Sequence, residues 1–155
     1  MSWPSTCTDP DAGRVNPAST INNVVLNAGA ISSGDIGFSF TLNEVDTDIV
    51  VNNIVGPDDA GTDRIIVLTA AAGFIQTAAG TGGITSTGTI TLTADEGITL
   101  DDSISSAGGT INLVADSNPG GGDDGVLTVN DQLSSGGGAG TINITADDIT
   151  VTNNI

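Results

Sequence analysis

From Gly88 onward, apolar and polar positions alternate in short runs, and the runs return as a phrase. Gly88–Asp95 reads Gly-Thr-Ile-Thr-Leu-Thr-Ala-Asp, Gly109–Asp116 reads Gly-Thr-Ile-Asn-Leu-Val-Ala-Asp, and Gly140–Asp147 reads Gly-Thr-Ile-Asn-Ile-Thr-Ala-Asp. Each is followed by a second half-phrase: Ile98-Thr-Leu100 with Ile104, Leu127-Thr-Val129 with Leu133, and Ile149-Thr-Val151 with Ile155. Ile90 to Ile111 is 21 positions and Ile111 to Ile142 is 31, the excess being mostly a Gly-rich insertion at 117–124. In an extended chain, alternation sends Ile90, Leu92 and Ala94 to one face and Thr91 and Thr93 to the other. A phrase that recurs at a near-fixed period is the mark of a stacked, solenoid-like fold.

Each run is too short to bury much in a hairpin. Three of them, closed by corners at Asp95-Glu96-Gly97, Asp101-Asp102-Ser103 and Ala107-Gly108, make one rung of about 21 residues. The pattern predicts an all-β parallel β-helix, right-handed like other parallel crossovers. Ile90, Ile111 and Ile142 would form one inner column, with Leu92, Leu113 and Ile144, and Ala94, Ala115 and Ala146, as the next two. Thr89, Thr110 and Thr141 would stack outside. The alternative is an antiparallel β-sandwich, which also has short alternating strands but does not call for near-identical phrases with matched corners.

The rest of the chain is less regular. Residues 1–20, with Pro4, Pro10 and Pro17, read as an irregular lead segment. Residues 21–63 read as less regular β rungs, with Ile36–Leu42 the cleanest period-2 run. Residues 64–155 carry the regular repeats. No segment keeps helical apolar spacing over three turns.

Composition sharpens this. Aromatics are 3%, so β-branched and small residues must fill the core, and the phenylalanines Phe38, Phe40 and Phe74 are expected in it. Two basic residues, Arg14 and Arg64, face 19 acids for a net charge of −17, with no Lys and no His. That excludes nucleic acid as a partner, since nothing neutralises phosphates. One cysteine, Cys7, permits no internal disulfide. No run of about 18 apolar residues predicts a membrane span. The N-terminus shows neither the basic start nor the apolar stretch of a signal peptide.

The phrases Gly-Thr-Ile-Thr-Leu-Thr-Ala-Asp and Gly-Ile-Thr-Leu-Asp-Asp-Ser-Ile-Ser-Ser resemble repeats of filamentous haemagglutinin-like large exoproteins, which are bacterial surface adhesins. The resemblance covers Ile65–Ile155 well and Ile21–Ile54 loosely. The family's Asn-Pro-Asn-Gly secretion motif is matched only faintly by Asn16-Pro17-Ala18-Ser19. The resemblance implies a secreted, cell-surface, structural or adhesive rod segment. Its partners would be surface glycans or matrix proteins, without membrane insertion.

Three constellations are candidates for chemistry. Asp95, Asp116 and Asp147 share one corner, and Asp102 and Asp131 (with Asn153) another. Like charges about 5 Å apart repel by roughly 3 kcal/mol at an effective dielectric of 20, which splaying into water or an intervening Ca²⁺ would relieve. The plain alternative is that Asp favours turns. The insertion offers Asn118, Asp123 and Asp124 as loop contacts for a ligand. An enzyme is not expected, because without His no Ser-His-Asp triad forms, although two carboxylates at a set separation suffice for glycoside hydrolysis. A chain that stops within a rung also suggests a subunit stacking head-to-tail on itself.

Overall fold

The structure is a computed structural model, and it describes residues 19–21, 24–25, 38–44, 48–55, 64–118, 125–136, 139–153 and 155. It is all-β, with no helix among the described residues and every strand pairing parallel. The antiparallel sandwich is thereby set aside.

Among the described residues, sixteen strands follow one another in sets of three. The first set is β1 (Ser19–Ile21), β2 (Val24–Val25) and β3 (Phe38–Glu44); the second is β4 (Ile49–Val51), β5 (Asn53–Val55) and β6 (Arg64–Ala70). Then come β7 (Phe74–Thr77), β8 (Gly83–Ser86) and β9 (Thr89–Ala94), followed by β10 (Gly97–Leu100), β11 (Ile104–Ser106) and β12 (Ile111–Val114). The fifth set is β13 (Val126–Val129), β14 (Leu133–Ser134) and β15 (Ile142–Thr145), and β16 (Asp148–Val151) begins a sixth. Each strand pairs with the strand three places on, giving three sheets: β1-β4-β7-β10-β13-β16, β2-β5-β8-β11-β14, and β3-β6-β9-β12-β15. This is the connectivity of a parallel β-solenoid. β1 begins at Ser19, two positions inside the segment read as a lead.

The register is the one the phrases dictate. Ile66, Ile90, Ile111 and Ile142 align in the third sheet, with Leu68, Leu92, Leu113 and Ile144 beside them. In the first sheet, Ile49, Ile75, Ile98, Leu127 and Ile149 align, and in the second Ile54, Ile84, Ile104 and Leu133. All of these up to Leu133 are buried and form one continuous core. Each buried Ile or Leu contributes on the order of 1.5–3 kcal/mol. The fifth rung is less covered: Ile142, Ile144 and Ala146 are half-buried against that core. On β16, Ile149 and Val151 are 53% and 41% exposed.

The period is not constant. Thr91 and Asn112 stand 21 positions apart, Asn112 and Asn143 31 apart, yet each pair lies in register. The extra residues fall between β12 and β13 and between β14 and β15, and a longer connection adds little closure entropy.

The core admits polar side chains only where the backbone satisfies them. Thr77 stands in the column of Val51 and Leu100 and is fully buried. Its hydroxyl accepts the Asp102 N–H at 2.9 Å and donates to the Asp102 carbonyl at 3.1 Å. Ser86 and Ser106 stack in the second sheet; the Gly88 N–H donates to Ser86 Oγ and Ser106 Oγ donates to the Gly88 carbonyl. No buried side-chain nitrogen or oxygen among the described residues lacks a partner.

One expectation is corrected. Phe74 is 46% exposed, not part of the core. It precedes the inward Ile75, so alternation turns it outward, and there it lies beside Gly97 of the next rung. The side chains of Phe38 and Phe40 lie outside the described set.

Candidate functional site

The corner aspartates were the leading candidates, and their positions differ. Asp102 is buried, and its Oδ2 accepts the N–H groups of Thr81 and Gly82, both at 2.7 Å, while Oδ1 accepts the Ser103 N–H at 2.7 Å. It therefore ties its own corner to the turn of the rung before. Burial pushes its pKa up, but the backbone N–H bonds from Gly82, Ser103, Thr81 and Gly80 outweigh that and hold the carboxyl below its ordinary value. Asp131 makes the matching local bond one rung on, its Oδ1 accepting the Gln132 N–H at 2.6 Å. The shared corner is real, and what it does is cap turns.

The pKa of Asp102 has a testable consequence. A carboxyl whose folded pKa lies below its unfolded one stabilises the fold above the unfolded pKa, and that share is lost as pH falls through the folded pKa. The unfolded reference is 3.8. Asp102→Asn keeps one acceptor oxygen and loses the charge. In urea titrations it should be less stable than the parent by about 1–3 kcal/mol near neutral pH, with the gap closing below pH 3.8. A gap constant down to pH 2 would contradict the capping role.

Asp95, Asp116 and Asp147 are not equivalent in their surroundings. Asp95 is half-buried, Asp116 is buried and Asp147 is exposed. Asp116 Oδ1 accepts the Asn118 N–H at 3.0 Å, closing the turn into the insertion. The Asp147 N–H donates to the Gly125 carbonyl at 3.0 Å, and Gly125 packs closely against Ala115 and Asp116. The corner at Asp147 is also shorter: Ala146-Asp147-Asp148-Ile149 has one residue fewer between its apolar ends than Ala94-Asp95-Glu96-Gly97-Ile98. Among the described residues no three acidic or metal-ligating side chains come together in a group that could hold a metal ion. Of the insertion candidates, Asn118 is exposed. Asp123 and Asp124 lie outside the described residues.

Reading the sequence missed a neighbouring network. Asp101 accepts from Gln76 Nε2 at 2.6 Å on one oxygen and from Asn130 Nδ2 at 2.8 Å on the other. Asn130 Oδ1 in turn accepts from Thr152 Oγ1 at 3.0 Å. The chain of bonds crosses four successive rungs and joins them on the outside, as the core columns do inside. The outer face of the third sheet carries a second such line: Asn143 Nδ2 donates to Asn112 Oδ1 at 2.9 Å, and Asn112 Nδ2 to Thr91 Oγ1 at 3.3 Å. The signal is in the sequence, where Asn112 and Asn143 fall at matching positions of successive phrases.

These corners and ladders bind rung to rung, with carboxylates engaged by backbone N–H groups and amides. Comparison with family models, with curated proteins and with solved structures found no match to this chain.

Proposed function

We propose that this chain is a non-catalytic structural and adhesive rod segment of a secreted bacterial cell-surface protein, working outside the cell. The observation that carries the reading is the column of equivalent side chains running through successive rungs, inside as Ile66, Ile90, Ile111 and Ile142 and outside as Thr91, Asn112 and Asn143. Side-chain chemistry is spent on holding rungs together. A net charge of −17 supports an extended, self-repelling surface, and the resemblance of the repeated phrases to large exoproteins supports the setting. The test is an array of surface glycans and matrix proteins probed with the folded chain. Saturable binding to a defined set is the expected result; a folded chain that binds none of them removes the adhesive half of the proposal.

One observation favours a second reading, a filament subunit. Among the described residues β16 pairs with β13 alone, and its Ile149 and Val151 side chains stand exposed. A further rung added in parallel would cover both and satisfy the free strand edge, and a second copy could supply it. Sedimentation across a hundredfold concentration range should then show mass growing with concentration. A constant monomer mass opposes the filament.

A further inference from the structure

The outward side chains of β6, β9, β12 and β15 form a grid. One column runs Ile65, Thr89, Thr110 and Thr141; the next runs Val67, Thr91, Asn112 and Asn143; the third runs Thr69, Thr93, Val114 and Thr145. Seven of these twelve positions are threonine and none is charged, in a chain with 19 acids. The outer face of the first sheet differs, with Asp148 level with Val126, and Asp48 just before Ile49. The outward positions Thr85, Ser105 and Ser134 of the second sheet are uncharged as well, but only the third sheet combines this with a field of threonines.

The grid is stiff and periodic in two directions. Successive rungs repeat at about 4.8 Å, and outward side chains along one strand at about 6.6 Å. Threonine is restricted at χ1, so each one holds a hydroxyl and a methyl at a fixed place. Bonds between rungs hold the rows: Thr110 Oγ1 lies 3.3 Å from Thr141 Oγ1, and the Thr91–Asn112–Asn143 line runs beside them. An uncharged lattice of hydroxyls and methyls suits a ligand that is itself uncharged and periodic. The prism plane of hexagonal ice repeats its oxygens in two perpendicular directions at distances of this order. A crystalline polysaccharide is the less suited occupant, because no aromatic ring lies among the twelve positions to stack on sugar faces.

We propose that this face of the third sheet adsorbs to ice, with threonine hydroxyls and methyls ordering the contact layer of water. The row Thr89, Thr91 and Thr93 is its centre. Acids elsewhere on the surface repel neighbouring copies and leave the face open to solvent. The proposal goes beyond the rod reading, which names no ligand for this face, and is independent of the filament reading, which concerns β16.

The test is partitioning of the labelled full chain into a growing ice hemisphere, together with thermal hysteresis. The parent should be taken up and should shape crystals. Thr91→Lys, in mid-grid, should cut uptake at least about fivefold and abolish hysteresis. Thr128→Lys, on the outer face of β13 in register with Thr99 and Thr150, should leave both unchanged. Circular dichroism confirms that each variant is folded. Exclusion of the folded parent from ice overturns the proposal, as does equal uptake of the two variants. A dimer in sedimentation that Thr91→Lys dissolves, without ice uptake, would instead make the grid a self-interface and overturn it too.

Discussion

Leu113→Asp should abolish cooperative folding, while Asn112→Asp, one residue away, should shift stability by less than about 1 kcal/mol. Leu113 is 1% exposed and lies between Leu92 and Ile144 in its column. Truncating such a side chain alone costs about 2–5 kcal/mol. A carboxylate there has no cation to pair with, and its uncompensated burial adds several kcal/mol more. The sum reaches the whole stability of an ordinary domain, about 5–15 kcal/mol. Asn112 faces outward and is half-buried. As Asp it still accepts from Asn143 and loses only its own donation to Thr91 Oγ1. Thermal melts followed by circular dichroism check the pair. If Leu113→Asp does not accumulate in soluble form, Leu113→Ala serves, with an expected loss of about 2–5 kcal/mol in urea. Equal stability of the Leu113 and Asn112 variants would mean that the alternation does not divide inside from outside.

That alternation is also what makes the architecture legible in the sequence. Ile90, Ile111 and Ile142 occupy the same place in three copies of one phrase, and only parallel stacking makes such identity useful. The half-phrases Ile98-Thr-Leu100 and Leu127-Thr-Val129 were legible for the same reason and stand in register. What the corners do was less legible. Asp102 looks like one of several turn aspartates, and its role depends on Thr81 and Gly82, which belong to the preceding rung. Asp147 matches Asp116 by phrase, yet it is exposed where Asp116 is buried. Phe74 was assigned by residue type to the core, although its parity relative to Ile75 points outward. For Asp102 the neighbouring rung, and for Phe74 its place within its own strand, outweighs residue type. Short phrases encode the strands; the lengths between them encode which corner groups meet.

The corner around Asp102 yields the second large effect. Gly83→Ala should destabilise the chain by several kcal/mol, while Gly80→Ala, three positions earlier, should cost only about 1–2 kcal/mol. Both glycines have a left-handed backbone, with φ of 65° at Gly83 and 72° at Gly80, so both substitutions carry the same conformational penalty. Their surroundings differ. A Cβ on Gly80 meets nothing within 4 Å, whereas on Gly83 it would sit 2.0 Å from the Ser103 carbonyl oxygen. That oxygen is not a free side-chain end. It accepts the Ile84 N–H at 3.0 Å, in the pairing of β8 with β11. To make room, the third and fourth rungs must part at the place where Asp102 and Thr77 also join them. Losing that backbone bond leaves a buried donor unsatisfied, about 1–3 kcal/mol by itself, on top of the left-handed cost. Urea unfolding of the two alanine variants separates strain from clash, since the first is common to both. A Gly83→Ala variant no less stable than Gly80→Ala would show that the rungs part freely here, and that their spacing is not fixed by the close approach of Gly83 to Ser103.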